Sequence, residues 1–300
     1  MLSRVSLSRR GFHSAAVRLA APFPVPPAEA HKRHVQTTLN YFKPLPNGQK
    51  PPTIYPFRPE KHDYSQWAEA VPVTVHDVAG DENEYSLDKH GFSFLHHKTK
   101  VADFSNPETI KNEYLSEMEQ VLKKVTGATF VHVFNPIVRK PSPIPGKPAQ
   151  GPVSLVHVDA TPSEAIEGAR FDLGPKADQL MKGRFQVIHA WRPLKPIYKD
   201  PFTVADARSV PQEDLVHTKV VFPNQEGSTF NVTSSPGHKF YYYRFGQTPD
   251  IITLFKSFDS KEGVACRNPD SAFVDSSTVD YPDRESIECR AYVFHEPGKN

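Results

Sequence analysis

Val153-Ser154-Leu155-Val156-His157-Val158-Asp159 reads as a β-strand and ends in a His-x-Asp pair. On a strand, side chains two residues apart project to the same side. His157 and Asp159 therefore converge, placing an imidazole nitrogen beside a carboxylate oxygen, a donor pair suited to a divalent metal. Such a pair arises by chance in many chains, so its weight depends on what the rest of the sequence sets around it.

Outward from this stretch the pattern is mainly β. Strands are expected near residues 71–78, 92–95, 129–134, 153–159, 184–191, 202–206, 218–222, 240–245, 251–257 and 286–294. Asn106-Pro107 reads as a helix cap with proline in the first turn; Ile110, Tyr114, Met118, Leu122 and Val125 share one face before Gly127 ends the helix. A second helix is expected at 175–182. Short strands after a helical N-terminal part fit a sandwich or barrel, so the expected fold class is mainly β with flanking helices. Hydrophobic residues are 38% of the chain, enough for a sizeable core, and 30 prolines against 15 glycines favour rigid loops over an all-helical architecture. Residues 140–152 are proline-rich and either connect two layers or lie over the mouth of a site.

The net charge is +2, with much of the positive excess in the first twenty residues, which gives no nucleic-acid footprint. No run of eighteen apolar residues occurs, so no membrane span is expected. Cys266 and Cys289 lack zinc-ligand or disulfide spacing and read as free thiols. A Gly-rich turn for a dinucleotide and a Gly-x-Ser-x-Gly elbow are both missing, which leaves nucleotide-dependent oxidoreductases and serine hydrolases unsupported.

The chain divides into three parts. Residues 1–28 carry Arg4, Arg9, Arg10 and Arg18 with several serines, and no acidic residue precedes Glu29. This chemistry predicts a mitochondrial transit peptide and a matrix location, the alternative being a disordered basic tail. Residues 29–69 read as a proline-rich, surface-hugging arm, and 70–300 as one domain.

Near the C-terminus, Arg284-Glu285-Ser286 enters the last expected strand with Arg284 and Ser286 on one face. A guanidinium fork beside a hydroxyl suits one carboxylate of a dicarboxylate molecule. Taken with the His-x-Asp pair, the order is metal donors first and carboxylate anchor last.

Together with His157 and Asp159, the blocks Gly183-Arg184-Phe185-Gln186-Val187-Ile188-His189-Ala190-Trp191-Arg192-Pro193-Leu194, Asp206-Ala207-Arg208-Ser209-Val210, Pro236-Gly237-His238-Lys239-Phe240-Tyr241-Tyr242, Phe255-Lys256-Ser257-Phe258-Asp259-Ser260 and Arg284-Glu285-Ser286-Ile287-Glu288-Cys289-Arg290 resemble the asaB-type hydroxylase/desaturase family. This group belongs to the iron(II)/2-oxoglutarate-dependent oxygenase superfamily. The resemblance runs from about residue 70 to 295. It implies a double-stranded β-helix, or jelly roll, with His157 and Asp159 as the first two ligands of iron(II). Arg284 and Ser286 would hold 2-oxoglutarate, and a small organic molecule would be hydroxylated or desaturated.

One position departs from the family. Relatives carry Pro-His before the arginine, where this chain reads Asn268-Pro269-Asp270. Asp270 is thus expected as the third ligand, giving one imidazole and two carboxylates and moving preference toward harder ions. Three readings stay open: an active oxygenase using Asp270, a catalytically inactive relative kept for binding or scaffolding, and a metal-bound non-oxygenase. Trp191, Arg192 and His238 are expected either to line a substrate pocket or to pack, Asp206 and Arg208 to pair, and His189 and His217 to be held by hydrogen bonds.

Overall fold

The structure, a computed structural model, describes residues 32–46, 49–56, 64–141, 151–223 and 225–298. The expected leader, residues 1–28, and most of the proline-rich segment 140–152 lie outside these residues.

Two sheets make up the molecule. One has five strands: β3 (Phe92–His96), β11 (Ile251–Asp259), β6 (Phe185–Pro193), β13 (Ser286–Phe294) and β4 (Phe130–Arg139), adjacent in that order. The other has eight: β1 (Val35–Phe42), β2 (Ala68–Asp77), β10 (Phe240–Tyr242), β7 (Phe202–Ala205), β12 (Asp270–Ala272), β5 (His157–Val158), β9 (Glu226–Val232) and β8 (Leu215–Val221). Neighbouring strands are antiparallel except β2 and β10. The layout is the expected jelly roll.

The long strands form where sequence pattern and burial agree. All nine residues of β6 are buried, as befits a central strand covered on both faces. Its Ile188 and Ala190, with Ile287, Cys289, Ala291 and Val293 of β13, form the outer face of the five-stranded sheet. Onto this face pack α2 (Pro107–Thr109), a single π-helical segment (Ile110–Tyr114) and α3 (Leu115–Thr126). Asn106 caps the start through the Glu108 amide, and Gly127, at φ 70°, ends it. Ile110, Tyr114, Met118 and Leu122 are buried, each burial contributing ~1.5–3 kcal/mol. Val125, expected on the same face, is exposed instead, because it sits in the last turn, beyond the sheet.

Between the sheets, Trp191 of β6 stacks on Phe202 of β7 with ring centroids 4.7 Å apart, and Phe92, Val204 and Phe255 complete the core. The segment expected as a surface arm contains β1, whose Leu39, Tyr41 and Phe42 are buried and whose whole length pairs with β2. Asn40 also bridges to Leu155, tying this strand to the approach of β5.

Further differences are local. Residues 153–159 form a strand only at His157–Val158, and α5 (Lys176–Leu180) is shorter than expected. Leu87-Asp88-Lys89-His90 forms α1 (Leu87–His90), capped by Ser86 and closed by Gly91 at φ 83°. An unanticipated helix, α4 (Pro162–Leu173), starts at Thr161, whose hydroxyl accepts the Glu164 amide.

One irregularity shapes the interior. β13 opposes β4 as Ser286↔Arg139 and Glu288↔Ile137, then as Arg290↔Phe134 and Tyr292↔His132. An extra residue on β4 is absorbed between these pairs, at a bulge holding Asn135 at φ 48°, a conformation asparagine tolerates better than most. Arg139 and Phe134, five residues apart, would otherwise project to opposite faces. The bulge turns both toward β13's inner face.

Candidate metal and cosubstrate site

The sheets bring His157, Asp159 and Asp270 together. One ligand atom from each lies within 4.8 Å of the others. Asp270 of β12 faces His157 of β5 in register, and Asp159 follows at the end of β5. His157 Nδ1 is 2.8 Å from the Leu155 carbonyl oxygen and donates to it, which fixes the ring and leaves Nε2, 3.5 Å from Asp159 Oδ1, facing the cluster.

A second tier supports the first. Arg290 Nη2 lies 3.0 Å from Asp159 Oδ1, and His189 Nδ1 lies 3.3 Å from Asp159 Oδ2 and 2.9 Å from Glu288 Oε1. The other ring nitrogen of His189 meets Ser257 Oγ at 3.0 Å. His189 is therefore held by hydrogen bonds, as expected, but directly behind the metal donors. Asp159, His189 and Glu288 also come within mutual ligand reach, sharing Asp159 with the first cluster.

The electrostatics differ from group to group. Burial penalises the Asp159 carboxylate, yet Arg290, His157 and His189 together hold it well below the usual range. Burial pushes Asp270 well above that range; His157 opposes this, while Asp159 and Glu288 reinforce it. Burial disfavours a charged His157, but Asp270 and Asp159 outweigh it and push the imidazole up to about 10. Without a metal, the cluster therefore retains a proton. One Asp270 oxygen is buried with no hydrogen-bond partner among the described residues, an acceptor that a cation would satisfy. This donor set fits a divalent metal.

The same pocket extends to Arg284, Arg139 and Trp191. Arg284 is buried, its Nη1 donating to the Asp200 carbonyl at 2.9 Å and its guanidinium lying 5.4 Å from the Trp191 ring centroid. Arg284 Nε and Ser286 Oγ have no partner among the described residues. Arg139, the register neighbour of Ser286, donates to the Gly151 carbonyl. Among the described residues neither arginine has a carboxylate in ion-pair reach. Burial, followed by the nearby Arg139 charge, pulls Arg284 down to about 10. Two guanidiniums lining one pocket with no carboxylate partner among the described residues, and the Ser286 hydroxyl level with Arg139, call for an anion.

Not every expected site residue is here. Trp191 lines the cavity, but Arg192 does not. Strand alternation sends Arg192 to the outer face, where it donates to Tyr114 Oη, His97 Nδ1 and the carbonyls of His97 and Pro249. His238 is likewise elsewhere, bonded to Asp214 at 2.9 Å and Tyr41 at 3.1 Å and stacked on the Tyr41 ring. Both expectations for the substrate pocket are corrected: an interior network satisfies each side chain. Asp206 and Arg208 pair, as expected. Glu288, Arg290 and Arg139 were not anticipated in the site. Glu288 and Arg290 continue the two-residue spacing of Arg284 and Ser286, a signal already in the sequence.

Comparison with known proteins agrees with this geometry. The family described as oxidoreductase/YMDC permease-like domain matches residues 39–294. Among the described residues, no helix is long and apolar enough to cross a membrane. The chain is 36% identical to hydroxylase/desaturase efuI of Hormonema carpetanum, covering 87% of this chain and 95% of that protein. It is 31% identical to Fe(II)/2-oxoglutarate-dependent dioxygenase nvfI of Aspergillus novofumigatus, over 74% of this chain and 82% of the relative. A solved structure of the iron and alpha-ketoglutarate-dependent endoperoxidase NvfI superposes with a TM-score of 0.75 at 24% identity, covering 87% of this chain and 98% of that one, and so shares the fold.

Proposed function

Since the chain belongs to the oxidoreductase family that includes the hydroxylase/desaturases and the Fe(II)/2-oxoglutarate-dependent dioxygenases, we propose that His157, Asp159 and Asp270 hold its iron(II) while Arg284 and Ser286, with Arg139, grip the distal carboxylate of 2-oxoglutarate. The reaction is hydroxylation or desaturation of a small organic molecule. The observation that carries this reading is the two-ended cavity. Metal donors sit at one end and uncompensated cations at the other, so a dicarboxylate lying between them satisfies both. When bound, iron(II) and 2-oxoglutarate supply oxygen activation coupled to decarboxylation of the cosubstrate to succinate, and with it the power to take hydrogen from carbon.

The protein's own groups orient and exclude. The Leu155 carbonyl fixes the His157 tautomer, and Arg290 and His189 fix Asp159, so two donors are set before any metal arrives. Trp191, packed on Phe202, closes one wall against water and supports the Arg284 guanidinium. Asp270 must release whatever proton it holds for both of its oxygens to serve as acceptors.

The inactive alternative finds no support among the relatives, which are enzymes. Anaerobic addition of iron(II) and 2-oxoglutarate tests the reading: a metal-to-ligand charge-transfer band and oxygen-dependent succinate release are expected, and His157→Ala should lose both. A wild type silent in both assays would refute it.

The location is also a proposal. The basic, acid-free stretch through Arg18 supports import into the mitochondrial matrix with removal of the leader. The N-terminal mass of protein recovered from mitochondria should begin downstream of Arg10; an intact Met1 would argue against import.

A further inference from the structure

β13 acts as a ruler along the interior. Ser286 stands level with Pro193 of β6 and Arg139 of β4, Glu288 with Trp191, Arg290 with His189 and Phe134, and Tyr292 with Val187 and His132. The first two levels carry the cavity already described. The last two carry a second pocket, which shares Asp159 and Arg290 with the first. The two spaces thus meet across the Asp159–Arg290 ion pair, one on the cosubstrate side of the metal donors and one beyond them.

The lining of this outer cavity selects a chemistry. Phe134 and Tyr292 stack at 4.2 Å between ring centroids, and Val187 and Val220 add apolar walls. Both cationic groups inside are engaged, Arg290 with Asp159 and His189 with Glu288, while Glu164 accepts the Ser228 amide at 3.2 Å and burial raises its carboxyl, favouring the neutral form. An anionic ligand would find both cationic groups already engaged, and its burial would cost several kcal/mol. One donor remains open, the buried Nε of Arg290, which has no partner among the described residues. A neutral molecule bearing one acceptor oxygen satisfies it.

Resting on the function proposed above, we infer that this outer cavity is the chamber for the organic substrate. It takes a neutral, largely apolar, ring-sized molecule whose acceptor oxygen meets Arg290 and whose reacting carbon faces Asp159 and the metal donors.

The test uses 2-tetralone, a neutral bicyclic ketone, and Mn(II) as a redox-inert paramagnetic ion, in full-length protein saturated with 2-oxoglutarate. Proton NMR of the probe should show Mn(II)-dependent broadening with wild type, placing it beside the metal. Val187→Trp and Val220→Trp fill the cavity from two different strands. Each should weaken probe binding roughly tenfold or more while 2-oxoglutarate affinity stays within about twofold, the latter also reporting an intact fold. If neither variant folds, Phe134→Ala, which removes a wall without adding bulk, should weaken the probe instead. Binding without broadening, or unchanged in these variants, would overturn the chamber. So would wild type that takes 2-oxoglutarate but no probe, which leaves the cosubstrate site standing. Wild type that binds neither Mn(II) nor 2-oxoglutarate would remove the proposed function and this inference together.

Discussion

Asp270 lies directly opposite His157 across the β12–β5 pair, and one of its carboxylate oxygens is buried without a hydrogen-bond partner among the described residues. A buried acceptor left unsatisfied costs about 1–3 kcal/mol, so the position makes sense as part of a cation site rather than as packing.

Replacing that carboxylate should change which ion is preferred. Asp270→His supplies a softer donor and removes a negative charge, so iron(II) should gain on magnesium by about tenfold or more. Asp270→Ala should weaken both. Anaerobic metal titrations read the ratio, and an Asp270→Ala protein that binds metal as tightly as wild type would remove Asp270 from the site.

Arg284→Ala should weaken 2-oxoglutarate binding by ~2–5 kcal/mol, because it truncates a buried charge partner. Arg139→Gln should cost less, about tenfold, since Arg139 is partly exposed and already engaged with Gly151. Calorimetry in the presence of Mn(II) separates the two. Equal affinities in wild type and Arg284→Ala would put the anion elsewhere.

Arg192 offers the opposite signature. Its guanidinium ties β6 to Tyr114, His97 and Pro249 on the sheet's outer face. Arg192→Ala should lower stability by about 2–4 kcal/mol in denaturant unfolding, through carbonyls and a phenol left unpaired. The 2-oxoglutarate affinity of the folded fraction should not move, and a selective loss of that affinity would return Arg192 to the pocket.

The buried Lys256 amine lies 2.6 Å from Asp259, which also pairs with Arg184. Burial penalises the Asp259 carboxylate, but Arg184 and Lys256 prevail and depress its titration below the ordinary value of 3.8. A depressed carboxylate contributes stability that is complete above its unfolded value and fades as pH falls through the folded one. Wild type should therefore lose stability below about pH 4. Asp259→Asn should show a shallower acid-side loss while starting lower at neutral pH by about 3–5 kcal/mol, with Lys256 left only the more distant Asp88 at 3.5 Å. Parallel acid-side slopes in thermal melts would show that Asp259 is not the titrating group.

Much of this arrangement can be read from residue order, and the failures share a physical cause. β6, β11 and β13 announce themselves through long, mostly apolar strands whose alternate residues face a helix. β9 and β12 do not: Glu226–Val232 is mixed in polarity, and Asp270–Ala272 is three residues long, so their pairing comes from neighbours rather than propensity. α4 was missed although Thr161-Pro162-Ser163-Glu164 has cap, first-turn proline and acidic third position; its weak amphipathicity, with Phe171 exposed, hid it. In the site, Glu288 and Arg290 follow from extending the Arg284/Ser286 spacing by two and four. Arg139 and His189 do not, because their places depend on pairing between distant strands.

The bulge at Asn135 gives β4 two reading frames. Before it, one parity of residues faces the interior; after it, the other does. A single deletion there would exchange them, exposing the inner space to valine on one side or sending Phe134 into the helix layer. The strand's two halves can therefore change independently only while that residue is kept. Grip on a common cosubstrate and choice among substrates are thereby uncoupled within ten residues of one strand.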